Sequence, residues 1–330
     1  LGALGDRFGK TRCMLICIAG LAVTLSCAPF APAFEWLVAS RVASGVFAGG
    51  LIPLILAGLG DEYDLEDRQV MIGRMLFAII TGQMSGSTAA GFANEAFGWR
   101  VALAIAAGAA VLAAALAWSG VPRAVRAPPS STAAQPTFRA LYAHVFDNPK
   151  AVWLYGAVVL EGALIFGVFP YVGQLLIERT GSSVVAAPSQ TGLVLGAFGI
   201  GGLAYAVSVR RFIALLGVRR MCIVGSVAVA CSYAALVVFQ VWWFDALAMM
   251  VAGISYYMLH SALQVEATEI APAARGSAVA LFACGFFIGQ GLGPLLFGAL
   301  VHNLGFPVAL LACAAGLVGL GQFVARRIVA

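Results

Sequence analysis

Polar and Gly/Pro breaks divide the chain into apolar runs of about 20 residues or more, long enough to cross a bilayer as helices. None alternates strictly between apolar and polar positions, as the strands of a membrane barrel do. Helices are the other structure that satisfies its own backbone in lipid. Reading outward from the breaks predicts ten spans, near residues 12–33, 36–60, 72–94, 100–120, 152–176, 190–209, 219–240, 243–264, 277–300 and 305–326. The expected fold is all-α and polytopic.

A much longer period overlies this one. Gly82-Gln83-x-x-Gly86-x-x-x-x-Gly91 recurs 207 positions later as Gly289-Gln290-x-x-Gly293-x-x-x-x-Gly298. At the same offset Glu62 matches Glu269, Arg68 matches Arg275, Gly98 matches Gly305, and Val101-Ala102-Leu103 matches Val308-Ala309-Leu310. Two equivalent helical bundles are expected, an arrangement common among secondary transporters. The segment 120–136, with Pro122, Pro128, Pro129 and Pro136 among Ser, Ala and Arg, reads as the linker between them. Residues 1–120 then form the first bundle, 121–150 the linker and 151–330 the second bundle. Phe138, Leu141, Val145 and Phe146 recur at helical spacing beside Arg139, His144 and Asp147, which predicts a short interfacial helix within the linker.

Composition strengthens the membrane reading. Hydrophobic residues make up 62% of the 330 and charged ones 10%, far below the quarter or so typical of a soluble domain. Mean hydropathy is +0.97. If the opening segment is cytoplasmic, all of the 19 Lys and Arg fall on that side except Arg41, Arg100 and Arg179. The positive-inside rule accounts for this bias, so the net charge of +5 calls for no nucleic-acid partner. The expected location is a bacterial inner membrane, with linker and carboxyl end in the cytoplasm.

Other chemistries find little support. The seven cysteines have no C-x-x-C pair and no companion histidine cluster, and read as small buried apolar residues. No metal cluster, paired nucleophile and base, or nucleotide-binding signature stands in the spans, so neither an enzyme nor an ATP-driven pump is expected, and no cofactor.

The amino end carries a more specific signature. Gly2-Ala3-Leu4-Gly5-Asp6-Arg7-Phe8-Gly9-Lys10-Thr11-Arg12 resembles the loop between the second and third helices of the major facilitator superfamily, G-x-L-x-D-R-x-G-R/K. Arg41-x-x-x-Gly45-x-x-x-Gly49 resembles the fourth-helix pattern of the same family, and Gly217-Val218-Arg219-Arg220 a degenerate copy of the first loop. The resemblance runs through the whole chain. It implies twelve helices in two bundles rocking about a central site, of which the first and most of the second are missing before Leu1. It also implies a cytoplasmic latch, in which Asp6 lies near the helix opening at Ser277 and Arg7 or Lys10 approaches Asp61 or Glu62. Gly2, Gly5 and Gly9 permit the tight turn such a latch needs. An ordinary solvated turn is the plainer alternative.

Candidate site residues are few. Glu161 is the one carboxylate deep inside an apolar run, about 14 Å from the span's start at 1.5 Å per residue. A carboxyl at that depth takes up a proton or finds a cation, and alternation between the two couples proton movement to conformation. Arg41 lies about 10 Å into its own span, so it must face water, a partner or the outer headgroups. The resemblance places both helices on the central cavity, where the two could pair. Gln83 and Gln290 serve as helix-to-helix glue or touch solute. Tyr256 and His260 share a helical stripe, His260 being a satisfied core histidine or a proton relay. Phe166, Phe169, Pro170 and Tyr171 are expected to form a packed kink.

The function expected is secondary active transport of a small organic solute by a monomer, with protons as coupling ion and lipid as its surroundings. Proton-coupled efflux leads; metabolite uptake, facilitated diffusion, or a non-transporting sensor or scaffold on the same fold are the alternatives.

Overall fold

The computed structural model describes residues 9–62, 65–121, 143–180, 188–239, 241–271 and 275–329. Among them there is no strand. The helices are α1 (Lys10–Cys27), α2 (Phe34–Glu62), α3 (Leu65–Phe97), α4 (Trp99–Gly120), α5 (Lys150–Phe166), α6 (Val172–Thr180), α7 (Pro188–Val238), α8 (Trp242–Glu269) and α9 (Arg275–Arg327). Gly2, Asp6 and Arg7 of the expected latch lie outside the described residues, as do the side chains of Asp61 and Glu62. Of the interfacial helix, residues 143–146 are helical, and Val145 is wholly buried.

Seven helical stretches among the described residues are long and apolar enough to cross a membrane. Two of them, in α7 and α9, are 51 residues each, far more than the 20 or so one crossing needs. Gly217 and Gly305 interrupt them with φ of 68° and 80°, a backbone region that side chains with a Cβ avoid, and so divide each into two passes. These passes correspond to nine of the ten expected spans. The tenth falls in α3, which carries Gln83, Ser85, Ser87, Thr88, Asn94 and Glu95 and is not among the seven.

The repeat survives in the backbone. Gly98 has φ 82° and ψ 165°, and its counterpart Gly305 has φ 80° and ψ 164°. Gly9 and Gly217 also have positive φ, and both precede the paired basic segments of the two loop copies. Positive-φ residues among those described are confined to these four glycines, so the same turn chemistry is used twice.

By contacts the chain divides into two compact units, Leu1–Ile79 with Ala89–Gln135 and Ile80–Thr88 with Pro136–Ala330. The short stretch Ile80–Thr88 joins the second unit because Thr88 Oγ1 donates to Gly192 O at 3.3 Å and Gly196 and Gly199 leave room for Thr88 and Met84. In the first unit α1 packs on α2 and α4. Gly20 admits the Phe47 ring, and Ser44 Oγ bonds Thr24 Oγ1 at 3.0 Å across the α1–α2 seam. Where α1 ends and α4 begins, Arg100 donates to Ala31 O and lies 4.2 Å from the Trp99 ring centre. Phe30, Phe34, Trp36, Phe97 and Trp99 are exposed at that end, as are Phe239, Trp242 and Trp243 at the α7–α8 turn. Exposed aromatics gathered at helix ends are what a bilayer interface selects.

The second unit is held by a seam between α5 and α9. A Cβ on Gly289 would strike Val159 O, one on Gly293 would lie 2.5 Å from Ala163 O, and one on Gly162 2.6 Å from Phe286 O. The repeated glycines thus let two backbones touch, which is how helices associate when lipid gives no hydrophobic drive between them. Tyr155 Oη donates to Ala278 O and Tyr171 Oη to Pro294 O, each at 3.1 Å and each across 123 residues, so α5 with its continuation runs parallel to α9 in constant register. Gly298 leaves the space that the Tyr171 hydroxyl fills.

The cysteines need a correction. Cys13, Cys17, Cys222 and Cys313 are buried, but Cys27, Cys231 and Cys284 are exposed. A membrane-spanning surface is apolar, and a thiol sits there as readily as inside.

Candidate functional site

The site grows out of how α5 is built and where it stops. α5 runs from Lys150 to Phe166 and places Glu161 about 16 Å along its axis. Pro170 has no N–H to offer Phe166 O, and after Gly167 the chain turns through a 3-10 segment, Phe169–Tyr171, before α6 resumes. The expected kink is thus a tightened 3-10 turn within one stretch, Lys150–Glu178, whose backbone stays right-handed through Gly167 and Val168. Tyr233 Oη, on the second half of α7, donates to Ile165 O at 2.9 Å and reaches Leu164 O at 3.4 Å, satisfying carbonyls at the turn. Tyr233→Phe should therefore cost about 1–2 kcal/mol, read as a lower melting temperature of the detergent-solubilised protein.

Glu161 is 0% exposed. Its Oε2 lies 2.8 Å from His260 Nδ1 on α8, while Oε1 is buried with no hydrogen-bond partner among the described residues. Two proton arrangements satisfy the contact: an ionised Glu161 accepting from Nδ1–H, or a protonated Glu161 donating to Nδ1. His260 keeps 13% of its side chain exposed, so the pair is sealed on the acid side and slightly open on the imidazole side.

Rings fix the imidazole. Tyr256, one turn earlier on α8, lies 4.9 Å away at 30°; Phe286 and Phe282 of α9 lie at 4.9 and 5.2 Å; Tyr257 stands edge-on at 6.4 Å. The ring contacts continue through Phe166, Phe198 and Phe169 toward the turn that ends α5. Low-dielectric walls of this kind strengthen the electrostatic coupling of the pair they enclose.

The structure thus brings Glu161, His260 and Tyr256 together. Glu161 is bonded to His260, from the same unit. Arg41 is exposed on α2, and Gly45 and Gly49 on the same stripe have open space beside them among the described residues. Gln83 is exposed and Gln290 half-buried, its backbone N facing Gly162. Gly9 and Lys10 open α1. Asp245 was missed: it is 1% exposed in the first turn of α8, where its position at a span boundary disguised it as a solvated end.

Two hollows accompany the site, and neither includes Glu161 or His260. One of about 600 Å³ is lined by Ala19, Ala22, Val23, Ser26, Cys27, Phe30, Val111 and Ala114; the other, about 420 Å³, lies between Leu160, Leu164, Leu296, Leu300 and Cys313. Both are lined almost wholly by apolar atoms. Among the described residues no group of His, Cys, Asp and Glu could hold a metal ion.

Known proteins with similar sequences are transporters. The chain is 35% identical over 107 residues to the multidrug efflux pump LfrA of Mycolicibacterium smegmatis, covering 32% of this chain and 21% of that protein. It is 27% identical over 232 residues to a probable sugar efflux transporter of Helicobacter pylori, covering 67% of this chain and 54% of that one. The chain therefore spans about half or less of these two relatives. Over 308 residues it is 26% identical to the uncharacterized MFS-type transporter YceJ of Bacillus subtilis, covering 92% of this chain and 75% of the relative. The crystal structure of the nucleoside transporter NupG shares the fold with a TM-score of 0.73 at 17% identity, over 98% of this chain and 84% of that one. A family model described as Major Facilitator Superfamily matches residues 1–273 and 181–327, and on that match the chain belongs to the Major Facilitator Superfamily.

Proposed function

We propose that the chain is a secondary active transporter that exports a small organic solute by alternating access, driven by protons that enter and leave at Glu161. One observation carries this reading: a fully buried carboxyl group within an apolar helix, bonded to His260 Nδ1 at 2.8 Å with its second oxygen unsatisfied among the described residues. A static structural pair would satisfy both oxygens, because an unmet acceptor in a low-dielectric interior is costly. A pair that must gain and lose a proton benefits from being left incomplete. His260 can take the proton as Glu161 releases it, so charge need not appear on either group alone.

The efflux direction draws support from relatives named as efflux transporters. The similarity in fold to a protein titled a nucleoside transporter supports a second reading, uptake of a metabolite through the same machinery. Arg41, Gln83 and Gln290 are proposed to face the solute path, and Gly2 to Lys10 with Asp61 and Glu62 to latch the cytoplasmic ends. The proposed orientation puts the linker and carboxyl end in the cytoplasm of a bacterial inner membrane, the protein acting as a monomer.

Proteoliposomes holding the full-length protein under an imposed pH gradient test this, with a panel of sugars, nucleosides and amphipathic drugs as candidate solutes. Gradient-dependent movement of one class supports the reading; passage of that class unaffected by the gradient sinks proton coupling. In the same assay His260→Gln, which keeps a polar contact to Glu161 but carries no proton at neutral pH, should lower gradient-driven transport by about tenfold or more.

A further inference from the structure

A pair bonded at 2.8 Å on two different helices holds only if both helices hold their rotation, and α8 carries a polar fastening right beside His260. Ser261, the next residue, is bonded through Oγ to Tyr205 Oη of the first half of α7 at 2.5 Å. Successive residues on a helix point about 100° apart. His260 therefore addresses α5 and α9 while Ser261 addresses α7, and any turn or slide of α8 moves both.

The rest of the α7–α8 crossing is apolar packing, with Met221 against Met258 and Phe198 against Tyr256, and Tyr205–Ser261 adds a directional bond to it. Gly201 abuts Met250 O and Gly253 abuts Phe198 O, backbone against backbone. Small residues of this kind let the helices approach closely. The Tyr205 ring, 5% exposed, is itself held, stacked at 14° on Phe212 and at 17° on Tyr257. Gly202 makes room for the Tyr257 ring, since a Cβ there would lie 2.5 Å from it. Tyr257 in turn stands edge-on to His260. The Tyr205 hydroxyl thus has a fixed direction, and it points at the residue adjoining the imidazole.

We propose that Tyr205, acting through Ser261, is a positioning residue that sets the rotation of α8 so that His260 Nδ1 meets Glu161. Its place in transport rests on the reading of Glu161 as the coupling acid; its effect on His260 does not. The chain has three histidines, His144, His260 and His302, so ¹⁵N-histidine labelling with His260→Gln as reference assigns the His260 Nδ1 resonance. In the full-length protein in lipid, Tyr205→Phe and Ser261→Ala should each displace that resonance from its hydrogen-bonded position. The double variant should displace it no further, and Ser261→Thr, which keeps a hydroxyl, should leave it in place. Gradient-driven transport should fall about tenfold in Tyr205→Phe and in Ser261→Ala, with solute KM unchanged. If Tyr205→Phe does not fold, Ser261→Ala against Ser261→Thr carries the test alone. An unmoved resonance in Ser261→Ala overturns the proposal whatever transport does. A moved resonance together with intact gradient-driven transport in Glu161→Gln leaves the positioning role standing and removes the coupling reading instead.

Discussion

Glu161→Gln should insert and fold normally and yet accumulate nothing against a gradient. Gln has nearly the shape of Glu, and its amide can donate to His260 Nδ1, so the contact across α5 and α8 survives. What is lost is the proposed site of proton binding and release. For a one-for-one exchange each pH unit across the membrane is worth about 1.4 kcal/mol, a tenfold concentration ratio of solute. The variant should bring that ratio to about one at every gradient, while exchange of labelled for unlabelled solute continues. Filtration assays of accumulation and of exchange in the same vesicles check both halves. Loss of exchange together with accumulation would mean that Glu161 binds solute and does not serve protons.

Gly289→Val should be the most damaging single change to the fold. Its first side-chain carbon would occupy the place of Val159 O, in a seam where Gly293 and Gly162 already bring backbones into contact. Carbonyl and helix cannot yield separately, so α5 must back away from α9, carrying Glu161 with it. Overpacking at a rigid contact typically costs about 1–3 kcal/mol, and backbone displacement raises that to about 4 or more. Gly319→Ala on the same helix is the control: nothing lies within 4 Å of its added carbon, and alanine favours helix by about 1 kcal/mol. Melting curves in detergent should show a large fall for the first and none for the second.

Much of this was legible in the sequence because lipid imposes long-range order on composition. Apolar length gave the spans, and the 207-residue offset gave the duplicated turns at Gly98 and Gly305, whose backbones agree within 2° in both angles. Glu161 stood out because a charge in an apolar run has few harmless explanations. Its partner did not, since His260 is 99 residues away and no local spacing links α5 to α8. Depth along two helices suggested Arg41 as a partner in one transport state, but depth says nothing about which way each helix faces, so it could not point to His260. Asp245 hid at a span boundary, and the tyrosines that fasten α5 to α9 and to α7 look like ordinary apolar residues until their hydroxyls are seen against carbonyls. The glycines were seen as a repeat, but only the α5–α9 seam explains why Gly289 and Gly293 of the second copy must be glycine.

Membership of the superfamily makes this an integral multi-pass membrane protein of a transporter family. Whether protons drive it is settled most directly by watching them. Vesicles with no imposed gradient and a trapped pH indicator receive the transported solute on one side. If the Glu161–His260 pair couples the two movements, solute influx drives protons the opposite way, the internal pH changes in proportion to solute moved, and Glu161→Gln abolishes the change. Solute influx with a constant internal pH, or an equal pH change in Glu161→Gln, would contradict it.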